Sequence, residues 1–278
     1  MVGVKQGYNE RMQQKQRLDV LMTMRGLAAS RSLAQRLVMD GKVRVDGRVV
    51  DRPGVQVAET AQLELDGAAR FVSRGGEKLY AALTAFGLRS LAGWVCADVG
   101  ASTGGFTDCL LQAGVERVYA LDVGQGILDG RLRRNERVVV MENINARYVQ
   151  TLPEPVQLIT VDASFISLRL LLPVLRGWLA EQGQVIGLIK PQFEAGRQEV
   201  GRGDGVIRDV AVHRRVLDEV LTCAVELGLK PLGLIRSPLL GPKGNTEFLA
   251  WLGLRGGADL DGEWKTWIAD VTEKLICV

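Results

Sequence analysis

The chain has 278 residues, 47% of them hydrophobic and 24% charged, a composition that excludes a disordered or fibrous protein and leaves room for one good-sized domain with a small companion. No apolar run reaches the ~18 residues of a membrane-spanning helix, and the polar stretch from Met1 to Lys15 lacks the apolar centre of a signal peptide, so a cytoplasmic protein is expected. Four scattered cysteines, Cys96, Cys109, Cys223 and Cys277, form no Cys-x-x-Cys pair and stand beside a single histidine, which argues against a metal site and against a disulfide framework.

The net charge of +3 is unevenly spread. Residues 1–52 hold 11 Lys and Arg against 5 Asp and Glu, while the remainder hold 24 against 27. A basic module ahead of a mildly acidic domain points to a polyanionic partner for the first part. Residues 17–52 read as two short helices and a hairpin. Leu18, Leu21 and Met22 share one helical face, closed by Gly26. Ser30 is placed to cap a second helix with Leu33, Ala34, Leu37 and Val38 as its apolar stripe and Gly41 as its stop. Val43 and Val45 then alternate with basic residues up to Asp46-Gly47, a hairpin turn in which both residues must accept positive φ. Arg31, Gln35 and Arg36 lie off the apolar stripe and with Lys42, Arg44 and Arg48 supply one basic face. This layout resembles the S4 RNA-binding domain, through Arg17-Leu18-Asp19, Ser30-Arg31, Ala34-Gln35 and the Gly41 to Gly47 stretch. The resemblance implies an RNA partner and adds Arg17 to the basic set; phosphate contacts from such a face give affinity rather than sequence choice.

Further on, Asp66-Gly67-Ala68-Ala69 and Ser73-Arg74-Gly75-Gly76 read as a flexible connector within residues 65–78. Residues 95–101 then look like a buried parallel strand, followed by Ser102-Thr103-Gly104-Gly105 and a helix whose inward face carries Phe106, Cys109, Leu110 and Ala113. A strand, a glycine-rich turn and a helix open a nucleotide-binding α/β unit, with glycines admitting a ligand close to the backbone. The dehydrogenase pattern Gly-x-Gly-x-x-Gly fails here, because the glycines fall at Gly100, Gly104 and Gly105 and Asp98 precedes the first. Asp-x-Gly at a first strand end resembles the S-adenosylmethionine motif of Rossmann-like methyltransferases, in which Asp98 either touches the cofactor or mainly holds the turn. Ser102 falls in the same turn. A second run, Val118 to Leu121, ends at Asp122, 22 residues past Gly100, a spacing at which a carboxylate accepts from both ribose hydroxyls of an adenosine cofactor. A third, Val138 to Met141, ends in Glu142-Asn143, expected at the adenine or its ribose edge.

Two more strands lead to Asp162 and Lys190. In open α/β sheets the ligand crevice lies beyond the carboxyl ends of the strands, and a lysine closing a buried strand must be paired or functional. After the fourth strand stands Asp162-Ala163-Ser164-Phe165, not the Asn/Asp-Pro-Pro-aromatic tetrapeptide usual in methylation of exocyclic amino nitrogens. A Pro-Cys nucleophile is also missing. A lysine–carboxylate site suits an alcohol acceptor. Glu194 to Asp209, rich in glycine and charge, is expected to close over substrate, and His213 beyond it is expected at the solvated surface.

Taken in order, Ser73 to Leu79, Asp98 to Cys109, Asp162 to Ser167, Lys190 to Glu194 and Gly244 to Phe248 resemble the TlyA family, sometimes labelled haemolysin A, whose second domain is FtsJ-like. The resemblance implies S-adenosylmethionine as cofactor, 2′-O-methylation of a ribose in ribosomal RNA, a cytidine in that family, and ribosomal RNA or subunits as partners. It also implies a Lys-Asp-Lys-Glu tetrad at Lys78, Asp162, Lys190 and Glu247. On their own, Lys78 and Glu247 read as an exposed linker lysine and a surface-strand glutamate. The expected fold is α/β, a Rossmann-like class I methyltransferase sheet over residues 79–254 inside a domain spanning 79–278, with a small α+β S4-like domain in residues 1–64. The alternatives are a non-catalytic rRNA-binding protein, a membrane-active haemolysin and a small-molecule O-methyltransferase.

Overall fold

The computed structural model describes residues 15–28, 30–65, 70–196, 205–241, 243–254 and 262–273. It divides into two compact units, Met1–Ala69 and Arg70–Val278. The first unit runs β1 (Lys15–Arg17), α1 (Leu18–Met24), α2 (Arg31–Met39), β2 (Val43–Val45), β3 (Arg48–Val49), β4 (Gln56–Ala58) and β5 (Leu63–Leu65). Ser30 caps α2, its Oγ accepting from the Leu33 amide at 3.2 Å, and Asp46 and Gly47 take φ of 50° and 77° to turn β2 into β3. Leu18, Leu21, Met22, Ala34, Val38, Val43 and Val57 form the core. The helices and hairpin stand where the sequence puts them. The added ladders, β1 with β4 and β5 with β2, involve strands of three residues, too short to show an alternation.

The second unit is built of α3 (Gly75–Ala85), β6 (Val95–Val99), α4 (Gly105–Gln112), β7 (Arg117–Leu121), α5 (Gly130–Arg133), β8 (Val138–Met141), β9 (Val156–Val161), α6 (Leu168–Arg176), β10 (Leu179–Ile189), α7 (Pro191–Glu194), α8 (Val210–Glu226), β11 (Lys230–Arg236), β12 (Phe248–Gly253) and α9 (Trp264–Glu273). Among the described residues the sheet has seven strands in the order β11-β12-β10-β9-β6-β7-β8. The ladders from β10 through β8 are parallel, and β12 runs antiparallel between β10 and β11. Every residue of β6 is buried, as in a strand covered on both faces. One face packs under α6, α8 and α9, the other under α3, α4 and α5. No helix of the described residues is long and apolar enough to cross a membrane.

Two expectations change. The Ser73 to Gly76 stretch is no loose connector: Phe71 and Val72 are core residues, and Gly75 and Gly76 open α3. The reason is steric, since a side chain at Gly76 would overlap the Phe71 ring. His213 is buried, not solvated, because it shares the inward stripe of α8 with Val216, Leu217 and Val220 and sets its ring edge against Phe248 at 5.7 Å. The region past the sheet contributes α9, whose Ile268 joins the core. The Met1–Gln14 tail, Asp66 to Ala69 of the connector and residues 197–204 of the expected closing loop lie outside the described residues. Gly76→Ala should therefore behave as a core overpacking change, costing about 1–3 kcal/mol, read as a lowered urea midpoint; an unchanged midpoint would restore the connector reading.

Candidate functional site

The sheet order reverses between β6 and β9, with β7 and β8 lying to one side and β10 to the other. Crevices form at such a switch point, beyond the carboxyl ends of the strands. Here Gly100 follows β6 at φ 83°, and a Cβ on it would stand 2.7 Å from the Asp162 carbonyl oxygen that follows β9. Only glycine lets the two strand ends approach. The crevice beyond them encloses about 1140 Å³ and is walled by Gly100, Ser102, Asp122, Asn145, Asp162 and Phe165 among others. Asp122 accepts from the Ser102 and Gly124 amides, both at 2.7 Å, which fixes its carboxylate at the end of β7.

The remaining expected cofactor residues lie elsewhere. Asp98 is fully buried beneath the turn; it accepts from Thr107 Oγ1 at 2.6 Å and Thr160 Oγ1 at 3.0 Å, so it holds the turn and does not face the crevice. Burial pushes its carboxyl up to about 6 against the pull of the two hydroxyls. Gly104 and Gly105 begin α4 and face away, Gly104 against Leu132 and Leu128 of the α5 region, Gly105 against Ser73 and the backbone of Gly76. Glu142 turns to the loop after β7, accepting from the Gly126, Ile127 and Leu128 amides and from Arg133. The Arg133 guanidinium and those amides hold its carboxyl down at about 2. Asn143, at φ 58°, gives its amide to the Gly124 carbonyl. The crevice wall past β8 comes instead from Ile144 to Arg147.

Beside the crevice stand two lysine–carboxylate pairs. Lys190, closing β10, holds Asp162 Oδ1 at 2.6 Å and donates to Ser164 Oγ at 3.0 Å. Lys78, one turn into α3, holds Glu247 Oε2 at 2.6 Å. Both lysines are buried, and Glu247 is 1% exposed; neither Lys78 nor Glu247 is at the surface. Gln192 donates to Glu247 Oε1 at 3.5 Å and lines the crevice, so it stands between the pairs. Its Oε1 is buried with no hydrogen-bond partner among the described residues, an acceptor that a bound donor would satisfy.

Glu194 ties these parts together. From α7 it accepts from the Leu168 amide at 2.6 Å, from Ser167 Oγ, and pairs with Arg169 at 3.4 Å. The Asp162 to Ser167 loop is thereby pinned to the helix that follows Lys190. At its tip Phe165 is 91% exposed, with φ of 65° and its ring 5.1 Å from that of Phe193. Sequence reasoning passed over Ser164, Phe165, Gln192 and Glu194 as individuals, although all four sit within quoted motif segments.

In the first unit the basic set divides. Arg17, Arg31 and Gln35 converge on the buried carboxylate of Asp19. Arg36 and Arg48 are exposed, Lys42 and Arg44 half-buried, and Arg44 Nη1 reaches the Gly47 carbonyl at 3.3 Å.

The chain matches the FtsJ-like methyltransferase family over residues 71–254 and the S4 domain over residues 16–63. It is 43% identical over 245 residues to the 16S/23S rRNA (cytidine-2′-O)-methyltransferase TlyA of Mycobacterium tuberculosis, covering 87% of this chain and 91% of that protein. It is 40% identical over 237 residues to Hemolysin A of Brachyspira hyodysenteriae, covering 84% and 98%. A solved structure from Streptococcus thermophilus that carries the hemolysin name superposes with a TM-score of 0.74 at 41% identity, over 95% of this chain and 97% of that one.

The elevated Asp98 carboxyl has a signed consequence. Below the unfolded value near 4 the group is protonated in both states; between about 4 and 6 only the folded state keeps the proton, so this group's contribution worsens as pH rises through that window. A shift of this size corresponds to roughly 3 kcal/mol at neutral pH. Asp98→Asn, followed by urea unfolding from pH 4 to 7, should gain on the parent by that order as pH rises. A difference that stays constant across the window would contradict the assignment.

Proposed function

The chain belongs to the FtsJ-like methyltransferase family, and from that membership we propose that it transfers a methyl group from S-adenosylmethionine to the 2′-hydroxyl of a cytidine ribose in ribosomal RNA. The observation that carries this reading is the Lys190–Asp162 pair at the mouth of a crevice fit for an adenosine cofactor. The fit rests on the narrow cradle at Gly100, the fixed carboxylate of Asp122 and the unpartnered Gln192 Oε1. When bound there, S-adenosylmethionine supplies an electrophilic methyl carbon on sulfur.

The protein's task is to present an oxygen in line with that carbon and to remove its proton. Lys190 orients the ribose hydroxyl. When the methyl group would move to that oxygen, the methyl–sulfur bond breaking as the methyl–oxygen bond forms, the Lys190 amine takes the hydroxyl proton, and the resulting ammonium is held by Asp162 and Ser164. Glu247 fixes Lys78, and Gln192 links that pair to the crevice. Most of the remaining acceleration comes from alignment of donor and acceptor. Phe165, an aromatic held in the left-handed region and open to solvent, is a strained exposed residue beside reacting groups; it offers a ring on which the base of the acceptor nucleotide stacks. The S4 domain supplies phosphate affinity, and the acceptor is ribosomal RNA, free or within a ribosomal subunit, in the cytoplasm.

Labelled methyl transfer to isolated small and large ribosomal subunits tests the reading. The parent should give alkali-resistant label, diagnostic of a blocked 2′-hydroxyl. Lys190→Ala should lose at least ~100-fold in turnover while binding S-adenosylmethionine nearly as well, and wild-type turnover in that variant would sink the role of Lys190. Phe165→Ala should weaken productive RNA binding by about 1–3 kcal/mol, seen as a raised KM for RNA with cofactor affinity unchanged.

A further inference from the structure

Among the described residues of the first unit, the most heavily bonded charge is an acid. Asp19 lies in the first turn of α1 and is wholly buried. Its Oδ1 accepts from Arg17 Nε at 3.0 Å, and its Oδ2 accepts from Arg17 Nη2 at 2.9 Å, Arg31 Nε at 3.0 Å and Gln35 Nε2 at 2.8 Å. The Arg17 guanidinium, with Gln35 and Arg31 assisting, holds the carboxyl well below the usual carboxylate range against the effect of burial. A buried ion pair is a poor source of stability compared with an apolar residue of similar size, so this acid calls for another explanation.

The geometry of its partners supplies one. The three donors come from separate places, the end of β1, the first residue of α2 and the second turn of α2. They remain open to solvent on their far sides, with the Arg17 and Arg31 side chains 40% and 54% exposed. Arg31 spends only its Nε on Asp19 among the described residues. A guanidinium held by Nε turns its two terminal amino groups outward, the edge that matches two oxygens of a phosphodiester. Side chains fixed in this way lose less freedom on binding.

We propose that Asp19 is a positioning residue for RNA, aiming the guanidinium edges of Arg31 and Arg17 at backbone phosphates without touching the RNA itself. The inference rests on the RNA-methyltransferase reading above. It separates two effects of opposite sign. Asp19→Asn raises the charge of the module by one, so attraction by charge alone predicts tighter RNA binding, whereas loss of aiming predicts weaker binding.

The test uses the full chain with isolated small and large ribosomal subunits and with their purified rRNAs, titrated at several salt concentrations without methyl transfer. Asp19→Asn should bind about tenfold more weakly than the parent despite its added charge, and its slope of log K against log salt should fall by about 1 for a lost phosphate contact. Arg31→Lys keeps the charge but lacks the fork, and should weaken binding by a similar factor. Binding by Asp19→Asn as tight as the parent's, or tighter, overturns the proposal. A thermal melt checks that the module is still folded; if Asp19→Asn unfolds it, Arg31→Lys decides, and parent-like affinity in that variant overturns the proposal. A parent that binds neither the subunits nor their rRNAs would instead remove the functional reading itself, and this inference with it.

Discussion

A buried ammonium is tolerated only beside a carboxylate, and the catalytic half of this chain is arranged around meeting that condition twice. Lys190 closes the buried strand β10, and Asp162 reaches it from the end of β9. Lys78 rises from α3 to meet Glu247, which immediately precedes β12. Each pair joins elements distant in sequence, so the loops that bear the charges have few alternative positions. Glu194 adds a third restraint by capping the start of α6 from α7. The result is a set of polar groups whose places are decided before any substrate arrives, which is the condition under which alignment accelerates a reaction.

The strand-end logic of the α/β fold made much of this legible. Asp122, Asp162 and Lys190 follow apolar runs in the sequence and stand at the carboxyl ends of β7, β9 and β10. Glu142 obeys the same pattern and yet serves another purpose, because the loop after β7 folds back and presents three amides and Arg133 to its carboxylate. Nothing in periodicity foretells that return. Lys78 and Glu247 lie 169 residues apart, and no local pattern pairs them; only the family resemblance brought them together. His213 was readable, since Val216, Leu217 and Val220 continue its stripe, but a polar residue type outweighed the spacing.

The N-terminal unit carries the same lesson in reverse. A count of basic residues describes a positively charged face, while the structure shows two of those residues, together with Gln35, bonded to one buried acid. Net charge measures attraction at a distance; Asp19 governs how that attraction is presented. The two arginines, with 40% and 54% of their side chains exposed, differ from the exposed Arg36 and Arg48 in being tied to Asp19.

The antiparallel placement of β12 between β10 and β11 carries a consequence for how the molecule is made. A ribosome delivers α3 early and β12 late, so a nascent chain stopped after β11 holds Lys78 without its counter-charge. The same chain leaves β10 and β11 as open edges, since their shared neighbour has not been synthesised. The Lys78–Glu247 pair is therefore complete only once β12 has been inserted. A chain that ends before β12 carries an uncompensated charge and unpaired backbone, a template for pairing with other chains.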